Sequence, residues 1–157
     1  MVSIEWLKET ELFKGLKEDQ LKTLLLLSAA QSFPEGKTIF NQGGEAAHLY
    51  ILIQGSVDLT VKAQEQIDFM TSKIEKEGAV FGTAALMESY RYNVTATCLK
   101  PSKVLIIEAD PLRRAMEKDP EMGMEVMRKL ATIYFNRLNE LRSGVSNLLK
   151  IFKIKMP

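Results

Sequence analysis

The feature that most constrains this chain is a stripe of apolar residues near its carboxy terminus. Met127, Ala131, Tyr134, Leu138, Leu141, Val145, Leu148 and Phe152 recur at alternating steps of four and three. A period of 3.5 residues kept for more than three heptads requires an α-helix with its apolar side chains along one seam, the spacing at which two helices pack side by side. The seam predicts a parallel homodimer, although such a stripe also suits a helix lying on the chain's own β-core. Asp119-Pro120 marks the start of this helix and Asp110-Pro111 that of a shorter one before it, because aspartate caps a helix and proline fits its first turn. Gly144 weakens the helix by about 1 kcal/mol relative to alanine, so the seam is expected to bend or end there.

The rest of the chain has other periods. Ile4, Leu7, Leu12, Leu16, Leu21, Leu24, Leu25 and Ala29 lie at intervals near three and four, which predicts short amphipathic helices broken around Gly15, a helical cap over residues 1–30. From Phe33 to Ile107 the pattern becomes one of short strands. Val57, Leu59 and Val61 alternate with Asp58 and Thr60, the mark of a half-buried strand. Leu49 to Ile53, ending at a turn in Gln54-Gly55, and Val104 to Ile107 are continuous apolar runs and read as buried strands. Many short strands punctuated by glycine suggest a sandwich, roll or barrel over residues 31–108, followed by helices over 110–155. The fold class is mainly β with flanking helices, and 157 residues suit a single domain over 1–157.

Bulk properties exclude several functions. A formal net charge of +1 gives no overall steering toward nucleic acid or an anionic membrane. Cys98 is the only cysteine, so neither an internal disulfide nor a cysteine-rich metal site is available, which fits a reducing cytoplasm. Glu5, Lys8, Glu9 and Glu11 interrupt the amino terminus, unlike an export signal, and the apolar run Leu24 to Leu27 is far short of the roughly 20 residues that span a bilayer. A cytoplasmic protein with no membrane span is expected. His48, the only histidine, has no second ligand near it and reads as a surface or turn residue; Cys98, in an apolar strand pattern, reads as a small core residue. Lys150, Lys153 and Lys155, interleaved with Ile151, Phe152 and Ile154, read as an amphipathic helix end rather than a membrane contact. No metal site and no catalytic constellation are expected: a Ser-His-Asp set would have to use His48, and no phosphate-binding Gly-x-x-x-x-Gly-Lys-Ser loop occurs.

The segment most informative about function is Gly78-Ala-Val-Phe-Gly-Thr-Ala-Ala-Leu86, which follows a strand and ends in small, helix-compatible residues. Gly82 allows a positive φ or close backbone approach, and the amides of Thr83, Ala84, Ala85 and Leu86 would then point outward from a helix start. Such a start attracts anions because unpaired N–H groups and the helix dipole converge there. A Gly-x-x-x-Gly spacing alone also describes ordinary turns.

Its neighbours narrow the reading, because the chain resembles the cyclic-nucleotide-binding domain family along nearly its whole length. Phe33-Pro-Glu-Gly-Lys-Thr-Ile39 resembles the first strand of that family, and Gly43 or Gly44 through Tyr50-Ile-Leu-Ile-Gln-Gly55-Ser-Val57 its glycine-bounded central hairpin. Phe81-Gly82-Thr-Ala-Ala-Leu86 resembles the phosphate-binding cassette, commonly Phe-Gly-Glu-x-Ala-Leu, within residues 78–95. Thr95 to Cys98 and Val104 to Ile107 resemble the strands after it, and Asp110 onward the last two helices. The resemblance implies a jelly-roll β-roll, or double-stranded β-helix, with amino-terminal helices and a long carboxy-terminal helix that lies across the roll and often dimerises. It also implies cAMP or cGMP as ligand, with no obligatory cofactor. Relatives of the catabolite activator protein carry a helix-turn-helix after that helix; about ten residues follow the usable seam here, so direct DNA binding is not expected.

Two family positions are altered. Thr83 stands where relatives have the glutamate that accepts the ribose 2′-hydroxyl, and a threonine hydroxyl is neutral and shorter. Counting back from Thr95 by the spacing Arg-x-x-Thr, Tyr92 stands where relatives have the arginine that pairs with the cyclic phosphate. Loss of a charge-assisted contact of about 1.5 to 3 kcal/mol weakens binding by roughly one to two orders of magnitude. Arg91 is adjacent and reaches the same place only if the loop between Met87 and Asn93 is shifted by one residue, because neighbouring strand side chains face opposite ways. Asn93 is a candidate donor to phosphate oxygens, and Arg142 and Leu141 lie at the level where relatives place residues over the purine. The expected ligand shell is therefore Phe81, Gly82, Thr83, Ala84, Ala85, Leu86, Arg91, Tyr92, Asn93, Thr95 and Arg142, with Met127, Ala131, Tyr134, Leu138, Leu141 and Val145 as the dimer interface.

The sequence supports a non-enzymatic sensor that couples cyclic-nucleotide occupancy to its last helix, acting on an effector protein it does not identify. The alternative is a degenerate domain kept for dimerisation or protein interaction. Placing a charge in a desolvated seam by Leu138→Glu is expected to convert a dimer into a monomer, read by light scattering at tens of micromolar protein. A monomeric mass for the unaltered chain at that concentration contradicts the seam.

Overall fold

The computed structural model describes residues 2–63 and 67–152. In chain order its elements are α1 (Ile4–Lys8), α2 (Glu18–Leu26), β1 (Ser28–Phe33), β2 (Thr38–Phe40), β3 (His48–Ala63), β4 (Ile67–Ile74), β5 (Val80–Phe81), a 3-10 turn (Thr83–Leu86), β6 (Thr95–Glu108), α3 (Ala109–Lys118) and α4 (Pro120–Ile151). The architecture is mainly β with flanking helices, as the periodicities predict.

Two long antiparallel strands, β3 and β6, form the spine of a six-stranded sheet. Their pairing has two halves: His48 to Gln54 face Lys103 to Glu108, and Ser56 to Thr60 face Thr95 to Lys100. On the first half β1 adds to β6 and β5 to β3; on the second, β2 adds to β6 and β4 to β3. The register slips between the halves, where Gly55 takes φ +121°. A bulge of this kind bends a strand and strengthens its twist, which lets one sheet roll over on itself. Ser102 Oγ fills the place of the absent Gly55 side chain, accepts the Ser56 N–H at 3.1 Å and donates to the Lys100 carbonyl at 2.8 Å.

Five sequence expectations are corrected by the structure. Gln54-Gly55 is a bulge inside one 16-residue strand rather than the turn of a hairpin, and the runs Thr95 to Cys98 and Val104 to Ile107 belong to one strand, β6. The helical cap stops at Leu26, because Ser28 to Phe33 pair with Ser102 to Ile107; the Phe33–Ile39 stretch is then a turn at Pro34 to Lys37 between two strands. Asp110 lies within the first turn of α3, whose cap position is Glu108.

Asp119 does cap α4: its carboxylate accepts the Met122 N–H at 3.1 Å and the Gln20 amide at 3.1 Å, and these bonds hold its pKa below the usual carboxylate value. The helix runs through Gly144 without interruption to Ile151. Its apolar contact with the body of the domain comes chiefly from Met122, Val126 and Leu130, all buried, with Ile133 partly so. The heptad seam lies one residue further round and stays open: Met127 is 38%, Leu138 46% and Leu141 65% exposed, and Ala131 and Val145 are exposed as well. The seam is therefore a second apolar face, largely exposed, of which Tyr134, Leu138 and Leu141 also border the roll. Lys153, Ile154 and Lys155 of the predicted basic tail lie outside the described residues. No helix among those residues is long and apolar enough to cross a membrane.

Glycine substitutions at two positions are expected to have opposite signs. A Cβ at Gly55 would lie 2.6 Å from Ser102 Cα in a backbone conformation that side chains rarely adopt, so Gly55→Ala costs roughly 3 kcal/mol and about 10 °C of Tm. A Cβ at Gly144 meets nothing within 4 Å, so Gly144→Ala stabilises the helix by up to about 1 kcal/mol. Thermal unfolding of both variants checks the pair.

Candidate ligand-binding site

A cavity of about 340 Å³ opens between the second half of the roll, the turn after β5 and α4. Leu59, Ser72, Phe81, Tyr92, Asn93 and Val94 line it from the roll and the segment before β6, Gly82, Thr83 and Ala84 from the turn, and Tyr134, Arg137, Leu138 and Leu141 from α4. Most of the wall is apolar, and among the described residues Arg137 is its one charged residue.

The turn takes its shape from Gly82, at φ +71°. A Cβ there would lie 2.8 Å from the Tyr50 ring and 3.3 Å from the His48 carbonyl oxygen, so a side chain would push the turn off β3. Four residues, Thr83 to Leu86, then form a 3-10 turn rather than an α-helical start, and the Ala85 N–H is turned back onto the Gly82 carbonyl at 3.2 Å. This takes the Ala85 amide out of the expected outward row of four.

Thr83 is buried, 6% exposed, and its hydroxyl shares a short hydrogen bond with the Tyr134 hydroxyl of α4. Tyr92 is 5% exposed. Its ring stacks on Phe40 with centroids 3.8 Å apart, within an aromatic cluster that includes Tyr50 and Phe81. The Tyr92 hydroxyl donates to the His48 carbonyl at 2.6 Å and accepts the His48 N–H at 3.2 Å, and burial raises its pKa. The tyrosine is thus tied to the start of β3 at the position the sequence comparison assigns to arginine.

Of the predicted ligand shell, Phe81, Gly82, Thr83, Ala84, Tyr92 and Asn93 come together around the cavity. Ala85 is buried behind the turn, and its carbonyl accepts from Arg113 Nε at 3.0 Å. Leu86 borders a different groove, between α3 and α4. Arg91 is exposed and donates to the Gly43 carbonyl at 3.0 Å, and Glu45 and Arg91 form a β-bridge, so the one-residue shift that would turn Arg91 into the site does not occur. Thr95 Oγ1 accepts the Gln42 N–H at 2.9 Å, and Arg142 is exposed on α4; neither lines the cavity.

Sequence reasoning missed Arg137, although it follows Tyr134 by three positions and so lies on nearly the same helix face. Arg137 Nη2 donates to the Val80 carbonyl at 3.2 Å and lies 3.7 Å from the Glu11 carboxylate, which accepts the Val80 N–H at 2.8 Å. Leu59 and Ser72, opposite one another in the β3–β4 register, were also accessible from strand alternation. His48 is the first residue of β3, half-buried, and Cys98 is buried with its thiol pKa raised by desolvation. Among the described residues no group of three His, Cys, Asp or Glu is arranged to hold a metal ion.

Several known proteins are similar to this chain. The sensor domain of the transcriptional regulator DNR from Pseudomonas aeruginosa superposes with a TM-score of 0.71 at 26% identity, covering 87% of this chain and 91% of that one. The global nitrogen regulator of Nostoc sp. is 26% identical over 115 residues, 72% of this chain and 51% of that protein. The CRP-like cAMP-activated global transcriptional regulator of Mycobacterium tuberculosis is 23% identical over 145 residues, 92% of this chain and 62% of that protein. The chain thus spans about half to three-fifths of these two curated relatives. The family model described as the cyclic nucleotide-binding domain matches residues 30–119, more than half of the 157, and the chain belongs to that family.

Proposed function

We propose that this chain is a non-enzymatic regulatory module in which a small molecule in the cavity is sensed by α4, with cAMP and cGMP as the ligands that its family suggests. The observation that carries this reading is the Thr83–Tyr134 hydrogen bond, which ties the turn under the cavity to the helix over it. A ligand that enters between them exchanges that bond for its own and moves α4 relative to the roll. On this reading the roll, the turn and the last two helices work as one module. The exposed seam then passes the movement to a second copy through Met127, Ala131, Tyr134, Leu138, Leu141 and Val145, or to an effector protein. The single buried thiol, Cys98, suits a reducing cytoplasm.

A second reading, a dimerisation or interaction module that takes no cyclic nucleotide, is favoured by Tyr92. Its hydroxyl is already paired with the backbone of His48 and its ring is packed on Phe40, so it offers no counter-charge to a phosphate.

Titration calorimetry with cAMP and cGMP separates the two. The sensor reading predicts binding weakened by roughly one to two orders of magnitude relative to a site that keeps the arginine contact, with altered hydrogen exchange along α4. Absence of heat and of any thermal shift at millimolar concentrations of either nucleotide removes cAMP and cGMP as ligands.

A further inference from the structure

We propose that the cavity beneath α4 selects a neutral, mostly apolar ring compound bearing one hydroxyl or carbonyl group over a cyclic nucleotide. This rests on the reading of the cavity as a ligand site coupled to α4. The wall formed by Leu59, Phe81, Val94, Leu138 and Leu141 offers no partner to a charge, and a buried phosphodiester needs one. The cation that lines the cavity, Arg137, is engaged elsewhere: it donates to the Val80 carbonyl and shares its charge with the Glu11 carboxylate 3.7 Å away. Arg91 is held on the Gly43 carbonyl. An anionic ligand would have to compete with the Val80 carbonyl and the Glu11 carboxylate for the Arg137 guanidinium.

What the lining does supply is an aromatic ring and neutral polar groups: the hydroxyls of Ser72, Thr83 and Tyr134 and the carboxamide of Asn93. Tyr92, which borders the cavity, is held rigid by its stack on Phe40 and by both of its hydroxyl hydrogen bonds, so the edge of its ring is a fixed part of the wall. The hydroxyls of Thr83 and Tyr134 face each other, and each can donate and accept. A ligand hydroxyl inserted between them restores both bonds, and a carbonyl accepts from either one. The volume of about 340 Å³ is at the small end of ligand cavities, room for one or two fused rings.

The probes are 2-naphthol, a neutral two-ring compound with one hydroxyl, its charged counterpart 2-naphthoate, and cAMP, each titrated into the full chain by calorimetry. The expected result is one 2-naphthol per cavity, bound at least about tenfold more tightly than cAMP or 2-naphthoate, and weakened about five- to tenfold by Thr83→Val through loss of a hydrogen bond. Tyr134→Phe, which removes one oxygen and keeps the ring, gives the same reading should Thr83→Val unfold. Tighter binding of cAMP than of 2-naphthol overturns the ligand class and leaves the sensor reading standing. Binding of 2-naphthol that neither variant weakens also overturns it, because the ligand then lies away from the hydroxyl pair. No binding of any probe at millimolar concentration overturns this inference and removes cAMP as the ligand of the sensor reading.

Discussion

The antiparallel ladder between β3 and β6, bent at Gly55, is the constraint on which the other elements depend. Each strand is long enough to serve both halves of the roll, so the bend decides how the halves face each other. Gly55 permits the bend because Ser102 packs where its side chain would be, and the Ser102 hydroxyl satisfies polar groups that the slipped register would otherwise leave buried and unpaired. The same ladder delivers His48 and Tyr50 beneath Gly82 and ends β6 at the start of α3. The turn and the last two helices are therefore positioned by one pair of strands.

Two arginines then fasten those helices to the turn through backbone carbonyls. Arg113 of α3 donates to Ala85 and lies 4.0 Å from the ring centre of Tyr90, while Arg137 of α4 donates to Val80. A bond to a backbone carbonyl reports where the chain runs and is indifferent to which side chains line the cavity. Replacement of glutamate by Thr83 and of arginine by Tyr92 can alter what the cavity accepts while the helices stay attached to the same backbone. Membership of the family and a changed ligand preference are compatible for this physical reason.

Much of this was legible in the sequence because it follows from local rules. Period-two alternation identified the half-buried part of β3, Asp119-Pro120 marked the start of α4, and Phe81-Gly82-Thr-Ala-Ala-Leu86 located the turn. What escaped depends on contacts distant in sequence. Gln54-Gly55 looks like a turn to any local rule, and only the pairing of both flanks with β6 makes it a bulge. Ser28 to Ala30 continue a helical pattern until β6 offers them a ladder. Arg137 was overlooked because its role is fixed by Val80 and Glu11, 57 and more than 100 positions away. Arg91 was chosen for its place beside Tyr92 and Arg142 for its level on the last helix in the family resemblance, whereas the strand bridge and the helix face that carry them lead away from the cavity.

The two apolar faces of α4 explain how a cavity can influence assembly. Met122, Val126 and Leu130 hold the amino-terminal half of the helix to the domain, whereas from Tyr134 onward its apolar side chains are largely exposed. Tyr134, Leu138 and Leu141 belong to the exposed heptad seam and also line the cavity. A small rotation of the helix about its anchored half redistributes these three side chains between cavity and seam, since adjacent positions on a helix differ by about 100°. On the proposed function, filling the cavity and burying the seam draw on the same side chains, which would couple the two events without any relay between distant sites. The Thr83–Tyr134 hydrogen bond sits at the boundary between the anchored and the exposed part of the helix, where its making or breaking has most leverage on that rotation.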